Sequence, residues 1–173
     1  MHDMDHRLLS ALRDCGSDAR VAAAARGLSR AGEHAALWLA AGLAGAAVDR
    51  ERRGTWLRAT ALTAAAHLAS MGVKRVVRRP RPGGGTGAEP LVRTAGRHSF
   101  PSSHATSAAA ATVAYGALSP LGARVVPPLA AAMCVSRMVV GVHYPSDVAA
   151  GAALGAVTAR VGSAWMNGGR THG

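Results

Sequence analysis

Five apolar stretches, residues 34–48, 56–73, 104–118, 125–142 and 145–165, make up most of the chain beyond its N-terminal region. Charge is rare inside them, and their apolar residues are mostly Ala, with Gly, Val and Leu. Although 49% of the 173 residues are hydrophobic, there are only one Phe, two Tyr and three Trp. A water-soluble core of this size draws on more bulky side chains. Helices packed within a bilayer favour small residues, which let backbones approach closely. Each stretch is near the roughly 20 residues that cross a membrane, and the shorter ones are expected to span by snorkelling and local thinning. Short connections leave little choice but an up-and-down arrangement. The expected fold is therefore all-α, an integral membrane bundle of about five transmembrane helices preceded by an N-terminal amphipathic segment.

That N-terminal segment, residues 1–33, sets Leu8, Leu9, Leu12, Val21, Ala25 and Leu28 among Arg7, Arg13, Arg20, Arg26 and Arg30. The pattern breaks at Gly16-Ser17, where Ser17-Asp18 can cap a second helix, and it suits a surface-lying segment or a solvated helical hairpin. No uninterrupted apolar run of a cleavable signal is present, so membrane entry falls to the internal helices. The chain thus divides into an interfacial segment (1–33), a transmembrane domain (34–165) and a tail (166–173). Gly151 and Gly155 form a small-xxx-small pair expected at a helix contact. Cys15 lies in polar sequence and Cys134 in an apolar stretch, which favours free thiols over a disulfide.

Net charge is +11, from 20 Lys plus Arg against 9 Asp plus Glu, and Lys74 is the single lysine. A charge of this size selects anionic partners. Nucleic acid is disfavoured, because the bases flank apolar segments and few aromatic residues are available for stacking. Anionic lipid and a phosphorylated substrate remain. A non-enzymatic helical scaffold is the other alternative.

Three short runs bear on that choice: Lys74 with Arg81-Pro82, Pro101-Ser102-Ser103-His104, and Ser136-Arg137 followed by His143 and Asp147. They gather fixed cations, two imidazoles, a carboxylate and small hydroxyls, a metal-free set suited to breaking a phosphate ester. If the apolar stretches alternate across the membrane, every one of these residues falls on the same face. A divalent metal held by His104, His143 and Asp147 would be repelled by the neighbouring cations, so neither metal nor cofactor is expected. Arg137, inside an apolar stretch, is costly there unless it meets a polar cavity or an anion. Arg75, Arg78 and Arg79 read as a membrane-edge cluster contacting headgroups, and His67 reads as a residue bonded to a neighbouring helix. The long connection from 75 to 103 is expected to form a wall or lid over the site, mobile in its glycine-rich middle.

The joint spacing of these runs resembles the three-part signature of the type 2 phosphatidic acid phosphatase family, which shares its site with vanadium haloperoxidases. The resemblance covers about residues 56–165, with Ser103 standing where the family commonly has Gly. It implies that His143 attacks phosphorus to form a phosphohistidine, that Asp147 orients its ring, and that His104 protonates the leaving oxygen. Lys74, Arg81 and Arg137 would hold the non-bridging oxygens. Ser102 and the backbone N–H groups of Ser103 and His104 would assist at a helix start. The runs VKRVVRRPRP, DRERRGTWLRATA, FPSSHATS and SRMVVGVHYPSD further resemble actinobacterial members acting on a decaprenyl-linked 5-phosphoribose in arabinan assembly. Undecaprenyl diphosphate and phosphatidylglycerol phosphate are the next candidates. With Lys74, Arg81 and Arg137 set aside, ten bases lie on the site face and seven opposite, which points the site to the cytoplasmic side of the cell membrane.

Overall fold

A computed structural model describes residues 2–82, 89–94 and 96–168. The glycine-rich middle of the long connection, expected to be mobile, lies outside the described residues, as does most of the tail. Eight α-helices are described: α1 His2–Asp14, α2 Ala19–Ala31, α3 Ala36–Val48, α4 Arg53–Val77, α5 Ser103–Gly116, α6 Pro120–Val139, α7 Pro145–Val161 and α8 Ser163–Asn167.

Local chemistry accounts for most helix ends. The Asp18 carboxylate accepts from the N–H groups of Arg20 (2.8 Å) and Val21 (3.0 Å), which starts α2 at the cap the sequence suggests. Ser102 caps α5, and Ser119 caps α6 by accepting from Gly122 N–H at 2.9 Å, with Pro120 at the first helical position. Pro145 starts α7 in the same way, and the Asp147 carboxylate reaches back to the Tyr144 N–H at 2.9 Å.

The structure redraws two expected spans. The second stretch becomes the 25-residue α4, which takes in the end of the charged turn before it and carries Lys74 in its last turn. The fifth is divided at Gly162, where a side chain would run into Leu62 of α4, and continues as the short α8.

At the centre stands α5, nearly all of it buried, enclosed by α4, α6 and α7. A methyl group at Gly151 or Gly155 would run into the backbone oxygen of Ser102 or Thr106, so α7 lies against α5 with only hydrogen at those positions. Trp38, Trp56, Tyr115 and Met133 fill the space among the small residues, Met133 reaching the spot beside Gly32 that the His104 ring also borders, and the Tyr115 hydroxyl donates to Trp38 O at 2.9 Å. No helix among the described residues is long and apolar enough to cross a membrane. The N-terminal segment does not stand apart: α1 packs on α6 and α7, and α2 packs on α6.

Candidate active site

The ends of α4, α5, α6 and the α6–α7 corner meet around one pocket of about 570 Å³, lined by Lys74, Arg81, Ser103, His104, Arg137 and His143. The starts of α5 and α7 are tied together by Ser102 N–H donating to Asp147 O at 2.9 Å, which places the two histidines on one corner. The two ends of the long connection are also joined, by Ser99 N–H donating to Arg79 O at 2.8 Å, and this holds Arg81 against the α5 start.

His143 is 2% exposed. One Nη of Arg81 stands 3.3 Å from its Nε2 and also donates to Val142 O at 2.9 Å. A guanidinium can only donate, so Nε2 presents its lone pair and the ring proton sits on Nδ1. That Nδ1 faces Asp147 Oδ2 at 3.7 Å, close enough for ionic attraction but too long for a hydrogen bond, and it has no other partner among the described residues. Burial pushes the imidazole down to about 3; Asp147 pulls the other way, and Arg81, Lys74 and Arg137 add to the depression. The ring is therefore neutral at ordinary pH, as a nitrogen nucleophile must be.

His104 is the opposite tautomer. Its Nε2 lies 3.0 Å from Ser29 O, and a carbonyl can only accept, so the proton is on Nε2. Arg137, 4% exposed, donates to the Ser29 hydroxyl through one Nη, while its Nε has no partner among the described residues. Lys74 Nζ donates to Ser99 O (3.0 Å) and Pro101 O (2.6 Å), leaving one of its three N–H bonds for an anion. Burial lowers Arg81 from its ordinary value.

Some residues stand elsewhere than the sequence suggests. Ser102 is fully buried, spends its hydroxyl on the α5 cap and does not line the pocket. Ser103 does line it, with its hydroxyl 2.7 Å from that of Ser70 on α4, so the extra Oγ relative to glycine is housed between helices. His67 makes the expected interhelical bond, to the Ser103 backbone of α5, and also lines the pocket with Nδ1 unpartnered among the described residues. Arg79, assigned to the membrane edge, instead donates to Asp147 Oδ1 at 2.8 Å and to Asp5 at 3.0 Å. Ser29, Glu33 and His34 also line the pocket, and so do Leu91, Val92, Arg93 and Thr94 of the long connection, which forms part of the wall as expected. Sequence reasoning missed Ser29 and Arg79, whose partners lie far away along the chain.

Comparison with known proteins bears on the same region. Residues 54–170 match the model of the PAP2 superfamily. A decaprenylphosphoryl-5-phosphoribose phosphatase of Mycobacterium tuberculosis is 46% identical over 141 residues, covering 80% of this chain and 77% of the relative. Its counterpart in Mycolicibacterium smegmatis is 46% identical over 129 residues, covering 73% and 69%. Among solved structures, a transmembrane PAP2-type phosphatidylglycerolphosphate phosphatase from Bacillus subtilis superposes with a TM-score of 0.66 at 20% identity, over 98% of both chains. The match over 54–170 and the identity to the mycobacterial enzymes together establish that the chain belongs to the PAP2 superfamily.

Proposed function

We propose that this protein is a membrane lipid phosphatase that removes the 5-phosphate of decaprenylphosphoryl-5-phosphoribose through a phosphohistidine intermediate. The observation that carries the reaction type is the tautomer of His143, whose Nε2 lone pair opens towards a cationic pocket while Nδ1–H faces Asp147. The substrate assignment is supported by 46% identity over 80% of the chain to enzymes named for that compound.

The phosphate enters among Lys74, Arg81 and Arg137, whose donors neutralise its non-bridging oxygens. Its oxygens draw the Arg81 guanidinium off Nε2. His143 Nε2 then bonds to phosphorus as the bond to the ribosyl oxygen breaks. On binding, the singly protonated phosphate passes its proton to His104 Nδ1, and the imidazolium so formed gives its Nε2 proton, until then on the Ser29 carbonyl, to that leaving oxygen. As positive charge grows on His143, Nδ1–H closes on Asp147 from its resting 3.7 Å. His104, now neutral with a lone pair on Nε2, takes a proton there from the water that attacks phosphorus, the P–N bond breaks, and the Nδ1 proton leaves with the phosphate, which restores both original tautomers. Ser103 contributes its backbone N–H at the start of α5.

The bundle is read as membrane-embedded with α3 to α7 as its five spans. Large apolar side chains face outward along them, with Leu43, Leu68, Val135 and Val157 between 44% and 65% exposed. The short α5 needs no lipid-facing length, because neighbouring helices enclose it.

The test is phosphate release by the purified protein in detergent from decaprenylphosphoryl-5-phosphoribose, undecaprenyl diphosphate and phosphatidylglycerol phosphate. The first is expected to be turned over fastest, and His143→Ala is expected to lose at least about a thousandfold in kcat. Equal turnover by the variant ends the catalytic assignment, and preference for another lipid ends the substrate assignment.

A further inference from the structure

Asp147 is wholly buried, and its carboxylate has two distinct sides. Oδ2 accepts from Tyr144 N–H at 2.9 Å and faces the His143 ring. Oδ1 accepts from Arg79 Nη1 at 2.8 Å, and the same nitrogen donates to the Ser146 hydroxyl at 2.7 Å. The other Nη of Arg79 donates to Asp5 Oδ2 at 3.0 Å. Asp5 belongs to α1 and is itself 7% exposed; it accepts from Ser146 N–H at 3.0 Å and from the Ser146 hydroxyl. The guanidinium lies over the Tyr144 ring, 4.1 Å from its centre. Both terminal nitrogens and one face of the guanidinium are thus engaged.

Arg79 does not line the phosphate pocket. It approaches Asp147 from behind, beside a second cavity of about 680 Å³ whose wall includes Asp5, Tyr144 and Ser146. Whatever it does for the reaction passes through Asp147. We propose that Arg79 is a positioning residue that fixes the Asp147 carboxylate against His143, and that Asp5 of the N-terminal helix holds Arg79 in that place.

The physical case has two parts. A buried carboxylate facing a neutral imidazole is strongly destabilised without a counter-charge, and it is free to turn Oδ2 away from Nδ1. The Arg79 fork supplies both the charge and the angle, which a lysine point charge matches only in part. A guanidinium paired with Asp147 alone would also weaken that carboxylate's pull on the developing imidazolium. Asp5 shares the positive charge between two carboxylates, so less of it is drawn onto Asp147. Asp5 lies far ahead of residue 54, where the family match begins, so this part of the site comes from outside it.

The inference rests on the proposed mechanism, and kinetics on decaprenylphosphoryl-5-phosphoribose test it separately. Arg79→Ala is expected to lower kcat about tenfold or more with KM within about threefold, Arg79→Lys to regain part of the loss, and Asp5→Asn to fall in the same direction by less. In an Asp147→Asn background, Arg79→Ala is expected to remove nothing further, since it has no carboxylate left to position. Parental kcat in Arg79→Ala, or an undiminished loss in the Asp147→Asn background, overturns the proposal. Should Arg79→Ala fail to fold, parental kcat in both Arg79→Lys and Asp5→Asn overturns it. An inactive parent protein defeats the functional reading instead.

Discussion

Lys74 braces the carbonyls of Ser99 and Pro101 and keeps one donor for the pocket, so on the proposed mechanism its charge serves both the loop and the substrate. Lys74→Ala is expected to lower kcat/KM at least about tenfold, and Lys74→Arg, which keeps a fixed charge, to lose less. Parental kcat/KM in Lys74→Ala would remove the residue from the phosphate site. The meeting of Lys74, His104, Arg137 and His143 around one pocket was legible in the sequence because each sits at or near the end of an apolar stretch, where alternation brings ends together; Arg81, inside the long connection, was legible only through the spacing of its run. Arg79 was not legible: it shares its run with Arg75 and Arg78, and its partner Asp5 lies 74 residues away. His67 meets both a neighbouring helix, through the Ser103 backbone, and the pocket; the sequence suggested the first, but a buried helix face carries no signal for the second.

At the level of elements, the site depends on how closely α7 approaches α5. The backbone of α5 stands where a Cβ on Gly151 or Gly155 would go. Gly155→Ala is expected to force the helices apart, destabilising the protein by about 1–3 kcal/mol and separating His104 from His143. Thermal unfolding in detergent and phosphate release together check it; an unshifted midpoint with full activity refutes the close-packing argument. This contact was legible from the small-xxx-small spacing. The helix limits were less so, since hydropathy marks the apolar part of a helix and not its hydrogen-bonded ends. Pro120 opens α6 five residues before the apolar stretch at 125 begins, because a proline behind a serine cap is a helix start whatever the polarity that follows. At Gly162 the chain bends for lack of room beside Leu62, a tertiary fact with no local signal.

For the whole molecule, the proposed membrane-embedded arrangement with its site towards the cytoplasm makes a prediction that labelling can read. With Cys15 and Cys134 replaced, a cysteine at Arg124 is expected to react with an impermeant thiol reagent in intact cells, while one at Arg75 reacts only after the membrane is opened. The reverse pattern would turn the site to the outer face. The N-terminal helices, described in the sequence as an interfacial segment, carry Ser29 to His104 and Arg137 and carry Asp5 to Arg79. Their polar spacing announced helices but not where they dock, because docking rests on single side chains meeting distant partners. There is a chemical consequence to the Arg81 nitrogen resting 3.3 Å from His143 Nε2. An imidazole left bare in a cell is open to acylating agents and other electrophiles, which compete for the same electron pair. On the proposed mechanism a cation shields that pair and yields it to an oxyanion that the cation prefers, so the reagent most able to unmask the nucleophile is also the one it attacks.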